Sequence, residues 1–151
     1  MGTQEAFERA LEALARKERT RAELTAWLAE RGFGADEVDA ALARLIEDGA
    51  IDDERFARRF AEDKRELRGW GPDRIREALA ARGLERELIE AEVSAEDPGA
   101  QLTRAIELLE RRGGPPDDEA GRARALAYLA RRGYDSELAY EAVRGFERRA
   151  A

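Results

Sequence analysis

The chain is predicted to be all-α, built as three tandem three-helix modules, and three observations carry that prediction. First, 43% of its 151 residues are hydrophobic and 40% charged, with Ala and Leu prominent in the first set and Glu and Arg in the second. These are strong helix formers. Second, the segments LAERGF (28–33), LAARGL (79–84) and LARRGY (129–134) recur 51 and then 50 residues apart. In each, Leu is followed four residues on by Gly and then by one apolar or aromatic residue, and ten residues past the Gly stands Leu42, Val93 or Val143. A fixed period with a matched apolar skeleton marks stacked copies of one supersecondary unit. Third, no stretch alternates apolar and polar residues with the period of a strand. The expected units are 1–50, 51–97 and 98–151, with nine helices in all.

In the first unit Thr20 and Glu23 form a capping-box pattern, which places a helix start at Thr20 after an earlier helix. Leu24 and Leu28 then share one face. Gly32, after Arg31, supplies the left-handed residue that ends helices, and Phe33 can fold back onto the core. Val38, Leu42 and Leu45 give the third amphipathic helix, stopped by Gly49.

The second unit repeats the plan, with Phe56, Phe60 and Leu67 on its first helix, Ile75 and Leu79 on its second, Ile89 and Val93 on its third. Pro72, after Gly71, suits the first position of the middle helix. In the third unit the apolar faces are Leu102, Ile106 and Leu109, then Leu126 and Leu129, then Ala139, Val143 and Phe146. The segments 94–100 and 111–119 are rich in Gly, Pro and acids and are expected to be exposed loops.

Composition excludes several functions. Cysteine and histidine are both absent, so thiolate chemistry, disulfides, and the commonest general base and transition-metal ligand are unavailable. No cofactor or metal is expected, and no enzyme. No run approaches a membrane span, and the first residues lack the build of a secretion signal, so a cytoplasmic protein is expected. Asparagine is missing and Lys17 and Lys64 are the only lysines, a bias that suits either a GC-rich genome or a heat-adapted one.

Net charge is −7, unevenly spread. Residues 1–51 carry −4, residues 52–86 carry +1 and residues 87–151 carry −4. An anionic partner is therefore expected at the centre. There, Arg55, Arg58, Arg59, Lys64, Arg65 and Arg68 put a basic residue on nearly every turn of one helix, with Arg74 soon after. The row reads either as a basic ridge for an acidic protein surface or nucleic-acid backbone, or as a solvated face paired with Glu54, Glu62, Asp63 and Glu66. Trp70, between Gly69 and Gly71, is either an exposed anchor or a plug between modules. Asp52 and Asp53 read as a helix cap, since a hard-cation site would need more converging oxygens.

Three of these segments resemble the bacterial RecX family of RecA regulators. TRAELTAWLAERGF (20–33) is similar to the family's Ser/Thr-Arg-x-Glu-Leu…Leu-x-x-x-Gly segment. Asp52-Asp53-Glu54-Arg55-Phe56-Ala57, with Gly69-Trp70-Gly71-Pro72 and Arg74-Ile75 downstream, resembles the family's central signature. YLARRGYDSELAYEAV (128–143) resembles its closing unit. The resemblance implies an elongated row of helix-turn-helix-like bundles without wings. It also implies a monomer that binds in the groove of the RecA–DNA filament, with possible weak direct DNA contact, and inhibits its ATPase, strand exchange and SOS co-protease activity. The other readings of the residues are a stand-alone helical DNA-binding module and a helical-repeat adaptor for another protein.

Overall fold

The computed structural model describes residues 2–151, and among them nine helices and no strand are found. In chain order these are α1 (Thr3–Arg16), α2 (Arg21–Glu30), α3 (Ala35–Glu47), α4 (Asp53–Arg68), α5 (Pro72–Ala81), α6 (Arg86–Ser94), α7 (Pro98–Arg112), α8 (Glu119–Arg131) and α9 (Ser136–Ala150). They pack in threes, and each triplet closes its own apolar core. Leu24, Leu28 and Leu45 are fully buried in the first, Ile75 and Leu79 in the second, Leu109, Leu129 and Val143 in the third. Ile51, ahead of α4, buries its side chain in the first core and so ties the second module to the first.

The expected helix ends are present. Thr20 and Glu23 form the full capping box, and Asp52, Asp97, Asp118 and Asp135 each accept a backbone N–H at the start of α4, α7, α8 and α9. In all three copies of the repeat the Gly is left-handed. The next residue then donates its N–H to the carbonyl of the repeat's leucine, from Phe33 to Leu28 (3.3 Å), Leu84 to Leu79 (3.4 Å) and Tyr134 to Leu129 (3.1 Å). That bond satisfies an orphan carbonyl and turns an apolar side chain onto the core.

Two expectations are corrected. Leu67 does not join Phe56 and Phe60 in the core but is 78% exposed. The face that α4 buries is centred on Ala57 and Ala61, and Leu67 falls at its margin in the last turn. The two connectors are also shorter than predicted, because α7 already begins at Pro98 and runs to Arg112. Within the first of them Glu96 is well covered, held by arginines from two helices.

Modules meet end to end. The carbonyls of Arg132 and Gly133, past the C-terminus of α8, accept the N–H groups of Gly71 (2.7 Å) and Asp73 (2.9 Å) at the start of α5. At the other end of α5, the Arg82 carbonyl accepts the Thr20 hydroxyl (2.7 Å), the N-cap of α2. Orphan acceptors of one helix thus meet orphan donors or a cap of the next, and the helix dipoles α8, α5 and α2 follow head to tail. The chain exposes 9002 Å². A compact monomer of its 16.9 kDa would expose about 7,700 Å². The row is elongated.

Candidate functional site

Glycine at 69 ends α4 in a left-handed turn, and the chain re-enters a helix at Pro72. Trp70 is held between them by its own N–H to the Lys64 carbonyl (3.1 Å), and its carbonyl accepts Arg104 of α7 (3.2 Å). Its ring stands edge-on to Phe60, with centres 6.2 Å apart. The ring packs on the second module's own core and borders an open cleft, and only the backbone carbonyl of Trp70 reaches the third module.

That cleft, of about 600 Å³, is lined by Lys64, Arg68, Trp70 and Arg74 from the second module and Tyr128, Arg131 and Arg132 from the third. No carboxylate lines it. The Arg74 guanidinium lies 4.3 Å and the Lys64 ammonium 4.8 Å from the centre of the Trp70 ring. Arg112 and Arg132 flank Tyr128 at 4.9 and 5.1 Å. Among the described residues none of the five lining cations forms a salt bridge, whereas ten other arginines each face a carboxylate. Aromatic faces position Lys64, Arg74 and Arg132 without neutralising them.

The remaining predicted residues lie elsewhere. Arg55 pairs with Asp52 at 3.9 Å and donates to the Gly49 carbonyl (3.2 Å), Arg58 pairs with Glu54 at 3.4 Å, and Arg59 reaches Glu18 of the first module. All three are exposed, so their pairs are weak. Arg65 turns inward, where it bonds the Glu92 carbonyl (3.1 Å) and lies 3.4 Å from Glu96. The Nε contact with Glu96 lacks hydrogen-bond geometry. The eight residues therefore divide into an exposed trio, one structural arginine, and four that converge on the cleft.

Beneath the cleft a polar joint fixes the two modules. The Tyr134 hydroxyl donates to the Gly69 carbonyl (2.9 Å) and accepts from Arg104 Nε (2.8 Å), while Arg104 also holds Glu96 (2.9 Å). Burial pushes the Tyr134 phenol above its ordinary range, and Arg104 draws it only partly back. Arg132 caps the arrangement by donating to the Arg68 carbonyl. At the other joint Arg82 grips Glu23 through two hydrogen bonds of 2.7 and 3.0 Å. Partial burial pushes the Glu23 carboxyl up, but hydrogen bonds from Arg82 and Thr20 outweigh it and hold the group below its usual range.

The sequence reading missed Tyr128, Arg131 and Arg132 as site residues. One signal was present: Arg131 stands where the other copies have Glu30 and Ala81, so the third repeat alone carries two adjacent arginines before its glycine. Among the described residues no cluster of His, Cys, Asp or Glu could hold a metal, and no helix is long and apolar enough to cross a membrane.

Fold and site define a class, an all-α tandem-module protein with a basic cleft assembled by two of its modules. Residues 6–45, 52–92 and 100–143 match, in turn, RecX first, second and third three-helix domains. The chain belongs to the RecX family. It is 37% identical to the regulatory protein RecX of Mycolicibacterium vanbaalenii over 142 residues, covering 88% of this chain and 77% of that one. It is 40% identical to the regulatory protein RecX of Thermus thermophilus, covering 93% and 91%. The crystal structure of RecX from Lactobacillus salivarius has the same fold, with a TM-score of 0.87 at 18% identity over 96% of both chains.

Proposed function

We propose that this chain is a negative regulator of the RecA recombinase. It binds in the groove of the RecA–DNA filament, inhibits ATP hydrolysis, strand exchange and SOS co-protease activity, and carries out no chemistry of its own. The observation that supports this reading is membership of a family of regulatory proteins, carried by all three modules in order. An elongated row of modules suits a helical groove, because successive modules can engage successive subunits and add their affinities. We assign 1–50, 51–97 and 98–151 as the units of that contact and the cytoplasm as its place. The protein acts as a monomer.

RecA's DNA-dependent ATPase tests the proposal. Added to RecA on single-stranded DNA, the protein should slow hydrolysis at near-stoichiometric levels, and an unchanged rate across a wide titration would remove the reading. Charge reversal of Arg55, Arg58 and Arg59 together should weaken inhibition while far-UV circular dichroism stays the same. Full inhibition by that variant would show the exposed trio to be a solvated face only.

A further inference from the structure

Given the filament reading, on which this rests, we propose that the groove between α8 and α9 is where the third module grips RecA itself. It takes one large apolar side chain from that protein's surface. The groove holds about 420 Å³ and is lined by Leu126, Ala127 and Ala130 of α8 and Ser136, Ala139 and Tyr140 of α9. None of the six is charged. Leu126 is partly buried against the third core, and Tyr140 is 50% exposed.

The other two copies of the repeat make the same place polar. Counted back by the repeat, Leu126 and Tyr140 correspond to Arg76 and Glu90 in the second module. There the guanidinium reaches from α5 to α6 and holds the carboxylate by hydrogen bonds of 2.7 and 3.4 Å. In the first module the matching residues are Thr25 and Asp39, both exposed. Only the third copy puts two large apolar side chains at these positions. A lone exposed apolar residue needs no explanation, but two beside a concavity make a receptive pocket.

The chemistry of the lining selects the occupant. A RecA–DNA filament offers phosphates, bases and protein side chains. A groove without a cation gives phosphates nothing to pair with, whereas an aliphatic or aromatic side chain is desolvated there. A second copy of this chain is a poor fit. A stable dimer buries about 1,200–2,000 Å², far beyond what six mostly small residues supply. As one anchor in a contact spread along all the modules, the groove needs no such area. Helix α8 also lines the basic cleft through Tyr128, Arg131 and Arg132. A protein surface seated in the groove therefore has cations of the same helix available to its acidic side chains.

The test transplants the second module's ion pair into the full chain. Leu126→Arg with Tyr140→Glu should seal the groove with far-UV circular dichroism unchanged. About tenfold more protein should then be needed to inhibit RecA's ATPase on single-stranded DNA. Thr25→Arg with Asp39→Glu, the same pair placed on the first module, should shift the inhibitory concentration less than about twofold. A photoreactive benzoylphenylalanine in place of Tyr140 should cross-link to RecA in the filament, and the same group in place of Glu90 should not. These adducts decide the matter alone if the groove variant misfolds. Full inhibition by a folded groove variant, or an equal loss in the first-module control, would overturn the proposal. So would an adduct from the Tyr140 position with DNA or a second copy in place of RecA, or no adduct at all. A native chain that leaves the ATPase unchanged brings down the filament reading and this one together. A native chain that inhibits no better than its groove variant brings down this one alone.

Discussion

Thr20 concentrates three duties in one side chain. It is completely buried, accepts the Glu23 N–H at 3.2 Å and donates to the Arg82 carbonyl of the next module. Thr20→Ala should cost about 2–4 kcal/mol, from the lost cap and from a buried carbonyl left without its donor. Thr20→Ser keeps both bonds and should cost about 1 kcal/mol for the missing methyl. Urea unfolding of the two variants checks the order, and equal losses would mean that packing, not hydrogen bonding, fixes this residue. Gly133 offers a second contrast. At φ +99 an added Cβ would strain the backbone and also strike Arg74, whereas at Gly49, φ +76, it would meet nothing. Gly49→Ala should therefore cost about 1 kcal/mol, and Gly133→Ala about 3 kcal/mol or more. What was legible at this scale was local. The capping box, Asp52 as a cap and the left-handed glycines all depend on neighbours within five residues. Arg65 was not legible as structural, because its partners lie beyond α5 in sequence, Glu92 within α6 and Glu96 just after it.

Among elements, the helix spine α8–α5–α2 uses two joints of the same plan but different chemistry. Between α5 and α8 the joint is backbone to backbone, and between α5 and α2 it relies on Thr20 and on the Glu23–Arg82 pair. The second joint should therefore respond to acid. Glu23 has a folded pKa below its ordinary value of 4.5, so its contribution is present above 4.5 and is lost as pH falls through the lowered value. With the pair about a third exposed, the contribution should be below about 1 kcal/mol. Thermal unfolding of the native chain and Glu23→Gln should differ at neutral pH and converge as pH falls below 4.5. A constant gap across that range would contradict the assignment. Helix positions were legible because each amphipathic face is set by residues of its own segment. The joints were not, since Thr20 and Arg82 lie 62 residues apart and nothing in either segment names the other. The cleft was half legible for the same reason. Its α4–α5 side announced itself as basic residues around Trp70, whereas its α8 side was hidden inside a repeat read as packing.

For the molecule as a whole, the position of one module against the next is the property on which a two-module cleft depends, and Gly71 isolates it. Its φ of −90 and ψ of 176 are ordinary for any residue, so Ala brings no backbone strain. Its Cβ would nevertheless lie 2.6 Å from the Gly133 carbonyl oxygen and 2.8 Å from the Tyr134 ring. Neither obstacle is the far end of a flexible side chain, so α8 must move away as a body from α5. Gly71→Ala should therefore leave helicity and the three cores intact while loosening the joint made by Gly71, Asp73 and Tyr134. Small-angle scattering should show a changed particle dimension, and inhibition of RecA's ATPase should weaken several-fold. Gly34→Ala, where an added Cβ meets nothing within 4 Å, is the matched control and should alter neither reading. If Gly71→Ala weakens inhibition with no change in scattering, the loss belongs to the cleft lining alone. If it changes scattering but not inhibition, the placement of the third module against the second plays no part in the contact with the filament.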